Sequence, residues 1–213
     1  RRSRQEAHLP GAGTLLLSPH AAADSRPMRT LNRIADLRAL VQGWRMAGET
    51  IAFVPTMGNL HAGHASLIDA AHHHGRRVVA SVFVNPLQFG PTEDYAAYPR
   101  TPDEDEALLA AQNVDVLLLP TVEEMYPRGV ATSTVVDVPG LSDILCGAFR
   151  PGHFRGVATV VMKLFQIAQA DVAPVADGGG IAGERHGVGA GAVDGRAVGR
   201  EAHGHVRAAF AGC

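Results

Sequence analysis

A chain of 213 residues, 46% of them hydrophobic, is long enough to bury one sizeable core, and a formal net charge of -2 gives no basic excess for nucleic acid and no acidic solvating tail. Its longest apolar runs, such as "VDVLLLP", fall far short of the roughly 20 residues that a helical membrane span needs. Cys146 and Cys213 stand far apart with no CxxC or Cys/His spacing, which argues against a disulfide framework and a structural zinc site and makes the cytoplasm the expected compartment.

Residues 1–27 are Arg, Ala, Pro and Gly without period. They read as an unstructured extension, with Met28 as the expected start, and their apolar core of about four residues is too short for the roughly 7–15 of an export signal. From Leu31 the positions Leu31, Ile34, Leu37, Val41 and Trp44 recur at three or four residues, predicting an amphipathic helix that Gly48 closes. "IAFV" (51–54) predicts a buried strand, "HASLIDAAHHH" a helix and "VVASVFV" (78–84) a second buried strand. "DEDEALLAAQN" predicts a helix with acidic residues in its first turn, and "VDVLLLP" a third strand. "TSTVVDV" is a further strand candidate, and "FRGVATVVMKLFQIAQ" (154–169) predicts a helix with a broad apolar surface. Such alternation implies an α/β fold, a Rossmann-like parallel sheet with helices on both faces, over residues 28–173.

The pattern then stops. Half of the 40 residues from Pro174 to Cys213 are Gly or Ala, and none is Leu. A segment with so little apolar surface cannot offset an ordering cost of roughly 1–2 kcal/mol per backbone residue, so a disordered tail is expected, either natural or the product of a shifted reading frame. With no strand expected after Asp171, one edge of the sheet should be left open.

The stretch "FVPTMGNLHAGHASLIDAA" carries the chemistry. A strand ending at Pro55, then a turn with Gly58 and Gly63, then a helix, directs backbone N–H groups and the positive end of a helix dipole toward one spot, where an anion can bind. His61 and His64, three residues apart, can reach the same phosphoryl group and donate hydrogen bonds to its oxygens. The bland alternative, two histidines that cap and solvate a helix start, is outweighed by the preceding buried strand and the two glycines.

An HxGH pattern after the first strand resembles the nucleotidylyltransferase superfamily. With "SVFVNPLQFGPTEDYAAYPRTPDEDEALL", "MYPRG" and "PGHFRGVATVVMKLFQI" following in order, residues 28–173 resemble the pantoate–β-alanine ligase (pantothenate synthetase) family. The resemblance implies ATP-dependent condensation of (R)-pantoate with β-alanine to pantothenate through a pantoyl adenylate, releasing AMP and pyrophosphate. It places the ATP-binding loop on Met57, Gly58, Asn59, Leu60, His61, Ala62, Gly63 and His64, with His64 as proton donor and His61 beside it as the second catalytic imidazole. Gln88 falls on the contact to pantoate and to β-alanine. ATP as substrate, accompanied by Mg2+, and a homodimer are further implications; no metal ligand is assigned on this chain.

Other conspicuous residues are read conservatively. His72, His73 and His74 end a helix where imidazoles favour the negative dipole end, and Asp103 to Glu106 open one where carboxylates favour the positive end. Asn85 and Pro86 are expected to shape a turn. His153 and Arg155 could meet ATP phosphates or simply open the following helix, and Lys163 reads as a solvent-facing charge. After "QADVA" the family's GEKDxQQ segment is replaced by "PVADGGG", and "GERH" at 183–186 lacks its aspartate and paired glutamines. The family's C-terminal lid domain is also expected to be missing, so a binding remnant with little or no turnover stands as the alternative function.

Overall fold

The structure, a computed structural model, describes residues 27–90, 93, 95–140, 142, 146–176 and 190–194. Strands β1 (Arg29–Leu31), β2 (Ile51–Thr56), β3 (Arg77–Val82), β4 (Val116–Leu118) and β5 (Val172–Ala176) pair in parallel in the order β1-β4-β3-β2-β5. Helices α1 (Ile34–Met46), α2 (Ala62–His74), α3 (Pro102–Ala111) and α6 (His153–Ala168) cover both faces, and the short helices α4 (Val122–Met125) and α5 (Cys146–Phe149) lie in the connection between β4 and α6. Alternation along the strands separates the two faces. Ile51 and Phe53 of β2, Val79 of β3 and Val116 and Leu118 of β4 pack with Leu37 and Val41 of α1 and Val160, Leu164 and Ile167 of α6. Ala52, Val54, Val78, Ala80 and Leu117 turn the other way, onto Ile68 and Ala71 of α2 and Leu109 of α3. Both faces are dry, which is why β2 and β3 read as unbroken apolar runs.

Carboxylates tie down the strand starts. Asp171, just before β5, accepts from the Ile51 amide at 2.9 Å and from Arg45 at 2.7 Å. Asp115, just before β4, accepts from the Val78 amide at 2.8 Å and from Arg77 at 2.7 Å. Arg77 is also bound by Glu49 and lies 5.3 Å from the Trp44 ring centroid. These contacts gather the N-terminal ends of the strands and leave the C-terminal ends of β2 and β3 open for a site.

Three expectations need correction. Leu31 belongs to β1, paired with Leu118, rather than to the first helix. Its side chain joins the same cluster as Ile34, so the apolar spacing runs across the strand-to-helix turn unchanged. α1 is capped from a distance, the Glu124 carboxylate accepting from the Ile34 amide at 2.8 Å. Residues 132–138 form no strand: the Val136 amide donates to the Thr159 hydroxyl of α6 at 2.9 Å, so that segment finds its partner on a helix. A strand does follow Asp171, since β5 pairs with β2 through Ala52 and Val172. Beyond it, residues 190–194 form an antiparallel strand, β6, on the edge that β5 presents. Residues 174–176 and 190–194 fall in β5 and β6, and the remaining residues of the expected tail, including 183–186, lie outside the described residues, as do residues 1–26.

Candidate functional site

The site forms where the chain leaves β2 and β3, beside the point at which strand order reverses: α2 leads from β2 to β3 on one side, and β5 lies on the other. After β2 the backbone turns sharply through Gly58, at φ +86°, and Asn59, at φ +53°. Gly58 is required twice over, by this left-handed conformation and by space, because an added Cβ would stand 2.9 Å from a carboxylate oxygen of Asp105.

Asp105 holds the turn. Its carboxylate, 2% exposed, accepts from the Asn59 amide at 3.0 Å, the Leu60 amide at 2.7 Å and the Thr101 hydroxyl at 3.2 Å. The Gly58 amide turns back to Thr56 Oγ1 at 3.3 Å. Of the loop amides, those of Gly58, Asn59 and Leu60 are thus engaged within the protein, by Thr56 and Asp105. What the turn presents outward is its imidazoles.

His61 is the N-cap of α2, and its Nδ1 accepts from the Gly63 amide at 3.0 Å. His64 completes a reciprocal capping box, its Nδ1 accepting from the His61 amide at 3.4 Å. The two rings lie 4.3 Å apart, tilted by 58°. Because each Nδ1 accepts, each neutral ring carries its proton on Nε2 and keeps that N–H as a donor. Burial, and then the charge of His61, hold the His64 imidazole below its ordinary value, with Asp105 pulling weakly the other way. At neutral pH His64 is thus a neutral hydrogen-bond donor at the positive end of α2. Met57 and Leu60 are half-buried, whereas Asn59, His61, Ala62 and Gly63 are exposed.

Gln88 ends a 3-10 turn, Pro86–Gln88, after β3, and is 7% exposed. Its Nε2 approaches the Met57 sulfur at 2.7 Å and its Oε1 accepts from Asn85 Nδ2 at 3.3 Å. One N–H and one lone pair of the carboxamide remain for a ligand. Asn85 does more than shape a turn. Fully buried, it also donates to the Gly156 carbonyl at 3.1 Å and accepts from the Tyr126 hydroxyl at 2.7 Å. Burial pushes the Tyr126 phenol up to about 12, so it stays a donor. Gly156 lets α6 press on the turn, since an added Cβ would lie 2.3 Å from the Leu87 carbonyl oxygen.

The remaining candidates separate. His153 is directed inward: its Nδ1 contacts the Gln88 carbonyl oxygen at 2.8 Å and its Nε2 faces Arg150 at 3.2 Å. Lys163 lies with its Nζ 4.6 Å from the Tyr126 ring centroid rather than free in solvent. His72 reaches the Gln112 carbonyl at 2.8 Å, joining the ends of α2 and α3. Sequence reasoning missed Asp105, which the helix-start role explained away, and Tyr126, whose only signal was its place in "MYPRG". Among the described residues no three His, Cys, Asp or Glu side chains converge in a way that could hold a metal ion, and no helix is long and apolar enough to cross a membrane.

Comparison with known proteins bears on this arrangement. The family model described as pantoate-beta-alanine ligase matches residues 29–176. Pantothenate synthetases of Shewanella halifaxensis and Colwellia psychrerythraea are 58% and 56% identical over 146 residues, covering 68% of this chain and 52% and 51% of theirs. The chain therefore spans about half the length of these curated relatives. Among solved structures, pantothenate synthetase from Thermus thermophilus is 52% identical with a TM-score of 0.63, covering 68% of this chain and 51% of its own. The Francisella tularensis pantoate-beta-alanine ligase, complexed with beta-gamma ATP and beta-alanine, is 38% identical with a TM-score of 0.64, covering 68% and 55%. By sequence over residues 29–176 and by the fold those residues adopt, this chain belongs to the pantoate-beta-alanine ligase family.

Proposed function

We propose that the chain carries the ATP- and pantoate-binding site of a ligase that condenses (R)-pantoate with β-alanine to pantothenate through a pantoyl adenylate. The observation that carries this reading is the meeting of two motifs, 31 residues apart in sequence, at the Met57–Gln88 contact of 2.7 Å. In the first step a pantoate carboxylate oxygen attacks the α-phosphorus of ATP and pyrophosphate leaves. The carboxylate is already ionised at neutral pH, so no protein base is needed. His61 and His64 would donate their Nε2–H groups to phosphate oxygens as charge shifts onto them, aided by the α2 dipole, and would help hold ATP against pantoate. Gln88 would read pantoate with its free N–H and lone pair. In the second step the free amine of β-alanine attacks the acyl carbon, the C–N bond replaces the acyl C–O bond to phosphate, AMP leaves, and the amine proton passes to solvent.

Mg2+ would enter as the ATP chelate. The carboxylate at the loop, Asp105, is engaged by two amides and a hydroxyl, so its contribution there is to hold the turn. The family further suggests a homodimer and a cytoplasmic setting. A second reading, a nucleotide- and pantoate-binding remnant without turnover, is favoured by one observation: the family match ends at residue 176. Pantoate-dependent ATP–pyrophosphate exchange by the purified chain decides between them. Exchange supports the ligase reading; binding of both ligands by calorimetry without exchange supports the second; failure to bind either ligand removes both.

A further inference from the structure

The main chain of Gln88 is fixed by groups that take no part in the contacts of its carboxamide with Met57 and Asn85. His153, 9% exposed at the first position of α6, contacts the Gln88 main-chain oxygen through Nδ1 at 2.8 Å. A carbonyl only accepts, so Nδ1 carries the proton and Nε2 is left as an acceptor, which Arg150 Nη1 fills at 3.2 Å. Arg150 is in turn bound in two-pronged fashion by Glu93, with Nη2 to Oε2 at 3.1 Å, and that same carboxylate oxygen accepts from the Gly90 amide at 2.8 Å. The Arg150 guanidinium, and then the Gly90 amide, draw the Glu93 carboxyl down to about 2. The chain of contacts starts and ends in the loop after β3 and passes through the start of α6, so it closes a ring around Gln88.

We propose that His153 is a positioning residue for Gln88, held in its Nδ1–H tautomer by the Arg150–Glu93 ion pair. An arginine suits the middle position because its planar fork can serve a carboxylate and an imidazole nitrogen together, which a lysine ammonium on a flexible stem does less well. The inference rests on the reading of Gln88 as the pantoate contact, but positioning itself is a property of the free protein.

The test uses the 15N-labelled chain and three readouts: the His153 ring nitrogen shifts, the Gln88 side-chain amide shifts, and calorimetric affinities for pantoate and ATP. In Arg150→Ala the His153 signals should move toward a tautomer mixture and the Gln88 amide signals should shift. Pantoate affinity should fall about tenfold, the size of one orienting hydrogen bond, with ATP affinity within about twofold of the parent. Arg150→Lys, the variant to use if Arg150→Ala does not fold, should rescue the ion pair but only part of the tautomer lock. Unchanged His153 and Gln88 signals in a folded variant overturn the proposal, as does equal loss of both ligand affinities. Gln88→Ala separates the two levels: if it leaves pantoate affinity unchanged, the substrate reading fails, and the NMR signals alone decide the positioning.

Discussion

Replacing Asp105 by alanine removes the carboxylate that organises the turn after β2. Two backbone amides, Asn59 at 3.0 Å and Leu60 at 2.7 Å, lose their acceptor, and the Thr101 hydroxyl loses a third contact. Hydrogen bonds to a charged group contribute roughly 1.5–3 kcal/mol each, and the turn is open enough for water to replace part of the loss. The net cost should be about 2–4 kcal/mol, a fall of roughly 1–2 M in urea midpoint for a domain of this size. Trp44, the only tryptophan, lies against Arg77 at the start of β3 and reports the transition. Asp105→Asn keeps the shape but offers one acceptor oxygen to two amides, so it should fall between the parent and the alanine variant. In both variants His64 should titrate lower than in the parent, because the one charge raising it is gone. An unchanged urea midpoint together with unchanged hydrogen exchange at the Asn59 and Leu60 amides would refute the reasoning.

Three further outcomes follow from the same geometry. Gln88→Ala should weaken pantoate by about 1–3 kcal/mol while sparing ATP, and calorimetry showing equal losses would assign Gln88 to packing. Gly156→Ala drives a methyl to 2.3 Å from the Leu87 carbonyl, so the protein should lose about 1–3 kcal/mol in urea unfolding; parental stability would mean that α6 does not bear on the turn as described. Glu93, drawn down to about 2 from an ordinary 4.5, binds its proton later in the folded than in the unfolded chain. The stability it contributes is complete above about pH 4.5 and lost as pH falls toward about 2, so Glu93→Gln should flatten the acid limb of the stability profile across that window.

The sheet was legible where periodicity is strong and two-sided. β2, β3 and β4 carry apolar residues on both faces, and helices α2, α3 and α6 fell within two residues of their expected bounds. Edges were harder. β1 has three residues and shares its apolar spacing with α1, while β5 contains Pro174 and small residues that propensity disfavours in a strand. The HxGH turn stood out because its two histidines follow a buried strand in the company of Gly58 and Gly63. Asp105 was not, because a carboxylate in the first turn of a helix is already explained by the dipole, and only three-dimensional placement shows it reaching across to residues 46 and 45 positions earlier. The orientation of His153 was equally hidden, since its partner lies 65 residues away.

The central claim is that the turn after β2 and the turn after β3 form one site for two ligands. It is tested most directly by titrating the labelled chain first with ATP and then with pantoate while following imidazole and side-chain amide resonances. The account predicts that ATP moves the His61 and His64 ring signals, that pantoate then moves the Gln88 amide, and that His64→Ala abolishes the first response while leaving the fold intact. ATP-induced shifts confined to residues outside 56–64, or a pantoate response that bypasses Gln88, would contradict it.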